Sequence, residues 1–392
     1  MPGPVSVRLT DRDGQPRSRR NDRRLRVLQL VRFLSVAGGA ERFALGLATN
    51  LPADRFECWV CVTRGGDAAP IAKLARAGIP YVNLGRRTRW DIHRMAALAT
   101  LLHRGQFDVL HSHSFGMNFW GTTMGFGFGV PVLIAHEHTW SYEGNRARKW
   151  LDRQVIGRLA TRFVAVSNAD AERMVRVEHI PPQKVIVIPN AYVPHDDGPD
   201  IDLRRDLGLP AGTPLVGTVA EFRAQKALEV LIDAYALCLA RVPAAHLVLA
   251  GDGPTRGQLE RHVAQRGLAN RAHFLGTRQD VDAILRSLDV AAMSSDYEGT
   301  PLFAYECIAN RTPLVATSVG GLPDLIDNGR TGILVERRRP DQLSDALAEL
   351  LVDANRRAQL AEAAYKRLDG FRIPTIALRF ADLYERYASV RR

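Results

Sequence analysis

Val290-Ala291-Ala292-Met293-Ser294-Ser295-Asp296-Tyr297-Glu298-Gly299-Thr300-Pro301-Leu302-Phe303-Ala304-Tyr305-Glu306 changes character twice. Its first four residues read as a short buried strand, and its last six open a helix. Thr300 fits the helix cap and Pro301 the first helical position. The free N–H groups of such a start, at the positive end of the helix dipole, make an anion site. Glu298 precedes the helix and Glu306 lies about a turn and a half inside it. Acids that far apart along the chain do not suit a shared-proton pair. They read as separate acceptors for hydroxyl groups, although a capped helix with two solvated glutamates would have the same sequence.

Strand, turn and helix repeat on both sides of this segment. Upstream, strands are expected at Leu25–Leu30, Phe56–Thr63, Tyr81–Leu84, Asp108–His111, Pro131–Ala135, Phe163–Val166 and Val185–Ile188. A Gly38-Gly39 turn and a helix to about Leu51 follow the first. Ala191–Thr213, with Pro194, Pro199, Pro210 and several aspartates, has linker composition. Strands resume at Leu215–Val219, His246–Ala250, His273–Leu275, Val290–Met293 and Leu314–Ala316. This alternation predicts an α/β protein of two Rossmann-like doubly wound domains facing a cleft. The division is a basic disordered tail at 1–24, domains at 25–192 and 214–371, and a linker at 193–213. An amphipathic helix at 372–392 is expected to pack back on the first domain.

Composition narrows the function. The 392 residues suit two domains, and 46% apolar with 24% charged residues excludes general disorder, collagen and coiled coil. Net charge is +11, of which eight arginines against three aspartates in residues 1–26 supply +5. That favours anionic partners: phosphorylated substrates, lipid headgroups or nucleic acid. Nucleic acid is disfavoured, because no aromatic-rich basic stripe accompanies the charge. The first 26 residues lack the apolar core of a secretory signal. Ser114–Ala135, uncharged but with five glycines and a proline, reads as helix, turn and strand rather than a membrane span. The expectation is a cytoplasmic protein with peripheral membrane contact. Cys58 and Cys61 are i, i+3 on a strand and face opposite sides, so they read as buried thiols rather than a zinc pair.

Other residues are candidates by position. His111 and His113 end one strand, and His136 and His138 follow the next, where doubly wound sheets place ligand groups. His136 and His138 read as acceptor-side contacts. No further ligand set accompanies them, so no metal is expected. Asp-x-Asp at Asp11/Asp13, Asp200/Asp202 and Asp280/Asp282 falls in tail, linker and helix and implies no metal either. Arg223 and Lys226 follow a strand and could offset a diphosphate's charge. Gly251-Asp252-Gly253-Pro254-Thr255-Arg256-Gly257 has its third glycine one residue late for a dinucleotide turn. Asn145–Arg162, with Arg146, Arg148, Lys149, Arg153, Arg158 and Arg162, reads as one basic amphipathic helix. It could dock on an anionic membrane.

Together these segments resemble the retaining glycosyltransferases of the B-type fold, family four (the group 1 glycosyltransferases). The resemblance rests on Glu298 and Glu306 with seven residues between them, Ala316–Asp324 and Asn328-Gly329-Arg330-Thr331-Gly332. It also includes Gly38-Gly39-Ala40-Glu41-Arg42, His111-Ser112-His113, Ile188-Pro189-Asn190, Phe222–Lys226 and Gly251–Pro254, in order over residues 25–370. It implies transfer of a sugar from a UDP- or GDP-sugar to a glycan or lipid-linked acceptor in cell-envelope or exopolysaccharide synthesis. Retention and independence of any metal or other cofactor are implied too. It assigns catalysis to His113, Glu298, Lys226 and Arg223, and donor binding to Gly38, Gly39, Gly299, Thr300, Pro301, Glu306 and Asn190. Two departures stand out. Thr218 follows Gly217 where relatives carry an arginine, and Ala227 stands where glycine usually follows the lysine. The alternatives are a sugar-nucleotide epimerase on the same fold, and a non-catalytic protein binding nucleotide-sugar or nucleic acid.

Overall fold

Short runs of Val, Leu, Ile and Ala, buried on both faces, build two parallel sheets. The computed structural model describes residues 23–35, 38–88, 91–138, 145–195 and 201–390. The first sheet has seven strands: β1 (Leu25–Val31), β2 (Phe56–Val62), β3 (Tyr81–Asn83), β4 (Val109–His113), β5 (Val132–Glu137), β6 (Arg162–Ala165) and β7 (Val185–Val187). Their order is β3-β2-β1-β4-β5-β6-β7. The second has six: β8 (Leu215–Val219), β9 (His246–Ala250), β10 (Ala272–Gly276), β11 (Val290–Met293), β12 (Leu314–Thr317) and β13 (Ile333–Val335). Their order is β10-β9-β8-β11-β12-β13. Chain direction across each sheet reverses once, between β1 and β4 and between β8 and β11. Ligands of doubly wound sheets bind beyond the carboxyl ends of the strands at such switch points. Gly38, His113, Lys226 and Glu298 follow or end these four strands.

Alternation along β1 sorts its side chains to two cores. Val27 and Val31 join one cluster, and Leu28 and Leu30 the other. Cys58 and Cys61 divide the same way, and burial pushes both thiols up to about 12. The helix Ile373–Val390 returns from the second lobe and buries Phe380 and Tyr384 in the first lobe's core. The two chain crossings pair with each other. Tyr192 N–H donates to the Phe371 carbonyl at 2.8 Å, and Ile373 N–H to the Tyr192 carbonyl at 3.1 Å.

Three expectations change. β4 and β5 run to His113 and Glu137, so His113 and His136 lie on strands rather than just beyond them. β13, three residues long, is too short to show a period in the sequence. The basic stretch is not one helix: Arg146–Leu151 is α-helical, Asp152–Ile156 a wider π turn, Gly157–Leu159 helical again, and β6 starts at Arg162. Its charge is also partly withdrawn from the surface. Arg148 is buried, 3.0 Å from Glu137 and 3.4 Å from Asp152. Arg162 lies over the Tyr387 ring and donates to its hydroxyl at 2.7 Å. Of the Asp-x-Asp pairs, Asp11/Asp13 and Asp200 fall outside the described residues. Asp280 pairs with Arg278 and Asp282 accepts from Asn310.

Candidate active site

The Glu298–Thr300 turn is held from several sides. Ser295 Oγ and Lys226 Nζ each donate to Glu298 Oε1 at 2.6 Å. Lys226 ends a single 3₁₀ turn, Ala224–Lys226. That turn's base is tied to the Gly251–Pro254 loop by Phe222 N–H donating to the Asp252 carbonyl at 2.8 Å. Ala227, after the lysine, has φ +45°. A left-handed backbone costs a residue with a Cβ roughly 1–2 kcal/mol, which explains why glycine is usual there. Arg223 is not part of the Lys226–Glu298 contact: it pairs with Glu221 at 2.7 Å and its side chain is 58% exposed.

Close approach fixes the next residues. A Cβ on Gly299 would lie 2.3 Å from the His138 carbonyl oxygen. Gly320, at φ +55°, has room for none: its Cβ would sit 1.8 Å from the Glu298 carbonyl. Thr300 is not the cap. Its hydroxyl donates across the lobes to the Val166 carbonyl at 2.7 Å, and Pro301 takes the capping position of the helix Leu302–Ala309. Gly38 caps the helix Gly39–Asn50. A Cβ on Gly39 would stand 3.6 Å from Leu302 Cδ1, so the first residues of the two helices come within contact distance across the gap.

Glu306 lies inside the second of these helices and is taken by residues of the other lobe and the linker. Arg42 Nη1 donates to its Oε1 at 2.6 Å while Nη2 reaches the Val193 carbonyl at 2.9 Å. His195 Nε2 is 2.8 Å from the same oxygen. Burial alone would raise this carboxyl. The His195 hydrogen bond and the Arg42 charge outweigh it and hold the group below its ordinary value. Both contacts fall on Oε1, which leaves Oε2 for a ligand hydroxyl.

His113 and His138 sit deeper than the sequence suggested. His113 is 1% exposed, with Nδ1 2.9 Å from His138 Nε2 and Nε2 2.8 Å from Gln29. His138 Nδ1 is 3.1 Å from Asn190 Oδ1. Both nitrogens of each ring are committed within the protein. His111 bonds the Tyr384 hydroxyl at 2.6 Å and His136 at 3.2 Å. Burial holds His111, His113 and His136 well below the ordinary imidazole value and lowers His138 to about 4. Nitrogens of His111, His113 and His136 lie within 4.8 Å of one another. Stacked rings, such as His111 and His113 at 4.2 Å, do not aim in-plane lone pairs at a common point. Arg42, His195, Ser295, Gln29 and Tyr384 were given no role from the sequence. Arg42 and Ser295 stand inside quoted motifs, and no spacing signal marks the others.

Two facing doubly wound lobes, with anion-ready helix starts and carboxylates in the gap, define the B-type glycosyltransferase architecture. The chain belongs to the group 1 glycosyltransferases. Glycosyltransferase Family 4 matches residues 37–195, and Glycosyl transferases group 1 matches residues 200–367. The D-inositol 3-phosphate glycosyltransferase of Corynebacterium glutamicum (strain R) is 30% identical over 383 residues, covering 89% of this chain and 91% of its own. The UDP-Gal:alpha-D-GlcNAc-diphosphoundecaprenol alpha-1,3-galactosyltransferase of Escherichia coli is 25% identical over 369 residues, covering 90% and 95%. Anabaena Alr3699/HepE in complex with UDP-glucose has the same fold, with a TM-score of 0.80 at 23% identity, covering 92% of this chain and all of that one. The protein is thus a glycosyltransferase.

Proposed function

We propose that this enzyme transfers a sugar, with retention, from a UDP-sugar to a hydroxyl of a glycan or lipid-linked glycan in cell-envelope or exopolysaccharide synthesis. The reading is carried by the convergence on one turn. Lys226 meets Glu298 there, and the first residues of two helices come together beside it. UDP is favoured over GDP because the Escherichia coli relative is named for UDP-Gal and HepE is solved with UDP-glucose. The bond from the anomeric carbon to the diphosphate breaks, and the acceptor oxygen bonds to the same face of that carbon. The acceptor's proton leaves with the departing phosphate oxygen. Negative charge grows on that phosphate, so fixed positive charge lowers the barrier. Lys226 has three donors and uses one on Glu298, leaving two for phosphate oxygens. Glu298 would hold the sugar, and Glu306 Oε2 the ribose. With this field built from protein, no divalent metal is required, and EDTA should leave the rate unchanged.

Work at a cytoplasmic membrane face is part of the proposal. Arg146, Arg153 and Arg158 are exposed and Trp150 is 59% exposed on the basic segment. Among the described residues no helix is long and apolar enough to cross a membrane. A thermal-shift panel of UDP-, GDP- and ADP-sugars tests the donor. A ligand at 100 times its Kd stabilises by about 2.7 kcal/mol, so a UDP-sugar should give a clear upward shift. No shift with any of them defeats the reading. Proton NMR of the product's anomeric coupling then decides retention.

A further inference from the structure

Four histidines from β4, β5 and the residue after β5 form one buried layer. His111 and His113 stack at 4.2 Å, and His136 and His138 lie 4.0 Å apart. Phe380 packs on His111 and His136, and Phe43 on His136 and His138. One hydrogen-bonded chain leaves this layer for the other lobe, and its polarity can be read from its far end. Asn190 Nδ2 donates to the Thr300 carbonyl at 2.8 Å. A carbonyl only accepts, so the Asn190 amide is oriented by it. Asn190 Oδ1 then faces His138 Nδ1, which must carry that ring's proton. His138 Nε2 is left as an acceptor, and His113 Nδ1 must donate to it. Three consecutive donors therefore point from the histidine layer to the donor turn. Gln29 Oε1 lies 2.8 Å from His113 Nε2 and Gln29 Nε2 lies 3.3 Å from the Tyr384 hydroxyl; a neutral His113 that donates through Nδ1 requires this amide to be turned over, with its nitrogen toward the ring and its oxygen accepting from Tyr384.

We infer that Asn190 and His138 are positioning residues. They clamp the Glu298–Thr300 turn onto the first lobe and so hold Glu298 where it meets Lys226. They act through the Thr300 carbonyl, not by touching sugar or acceptor. This replaces the acceptor-side role for His138 and the direct donor contact for Asn190. The turn rests on His138 itself, with the site of a Gly299 Cβ 2.3 Å from its carbonyl oxygen, so tether and seat coincide. The inference rests on reading this turn as the donor-sugar site.

The test uses the full chain with Asn190→Ala, Asn190→Asp, His138→Ala and His138→Asn. Amide hydrogen exchange of residues 298–300 should speed at least tenfold in N190A and H138A, with β8 and β9 unchanged. H138N keeps a donor toward Asn190 and should return exchange to within threefold of wild type. In ¹⁵N-histidine spectra the wild-type His138 should be the Nδ1–H tautomer. Asn190→Asp, nearly isosteric, should convert it to the imidazolium. In N190A the kcat for UDP-glucose hydrolysis should fall at least tenfold, while the Kd for UDP changes less than threefold, because Glu306 is untouched. An Nε2–H tautomer in the wild type, or unchanged exchange in both N190A and N190D, overturns the clamp. A wild type that binds no UDP defeats the donor reading instead, and the exchange and tautomer measurements still judge the clamp.

Discussion

Lys226 and Ser295 donate to the same oxygen of Glu298, so removing the lysine takes a cation from the site and leaves a nearly buried carboxylate under-paired. Lys226→Ala should lower kcat/KM by about a hundredfold, the scale of losing one preorganised donor to a developing anion. A loss in kcat/KM under about threefold, measured with the donor well below its KM, would remove Lys226 from the leaving-group role. Arg42 makes a different argument. Its two guanidinium nitrogens reach Glu306 and the Val193 carbonyl at once, a fork that lysine cannot copy. Arg42→Lys should therefore behave nearly like Arg42→Ala. A hydrogen bond to a charged group is worth about 1.5–3 kcal/mol, so both should raise the donor KM about tenfold or more. A lysine variant with wild-type KM would show that charge alone suffices. Arg42 is 264 residues from Glu306, and Gln29 is 355 from Tyr384. Such pairs exist only once the lobes meet or the last helix returns. Glu298, Glu306 and Lys226 were legible because each sits in a contiguous strand–turn–helix passage. The roles of Arg42 and His195 were not, because their partner Glu306 is 264 and 111 residues away.

The central strands read well from the sequence because both faces of the sheets are buried there, so each appears as a mostly apolar run. The same rule hid the ends of β4 and β5, where buried histidines extend the strands. It failed for the basic segment for an electrostatic reason. Arg148 is turned inward as counter-ion to Glu137 and Asp152, so charge spacing misstated which face is wet. Three exposed arginines remain, worth roughly 1 kcal/mol each near an anionic bilayer. The protein should sediment with anionic vesicles at low salt and stay in solution with neutral ones. Replacing Arg146, Arg153 and Arg158 by glutamine should abolish sedimentation without lowering the melting temperature. Unchanged sedimentation of that triple variant would place the membrane contact elsewhere.

At the scale of the whole molecule, two buried clusters make stability depend on pH in opposite senses. The histidine layer is neutral in the fold, because burial depresses each ring below 6.5, to about 4 for His138. The unfolded chain binds those protons near pH 6.5, so stability present above that value is lost as pH falls toward 4. The acids behave the other way. Burial raises Glu137 to about 8, despite Arg148 beside it, Asp152 to about 7 and Asp170 to about 6. Their folded forms hold protons that the unfolded chain has released above about pH 4–5, so stability falls as pH rises toward 8. Each unmatched proton changes stability by about 1.4 kcal/mol per pH unit. The melting temperature should therefore peak near pH 6 to 6.5 and fall on both sides. Each limb can be assigned separately. His136 has an unpartnered Nε2 and a single ring bond, Nδ1 at 3.2 Å from His111 Nε2, so His136→Leu removes a titrating ring at the cost of that one bond and should make the acid limb shallower. Glu137→Gln keeps an acceptor for Arg148 and should flatten the alkaline limb above pH 7. Scanning calorimetry from pH 4.5 to 8.5 decides it. A wild-type curve level across that range would mean that neither cluster is as dry as its packing implies, and both assignments would fail together.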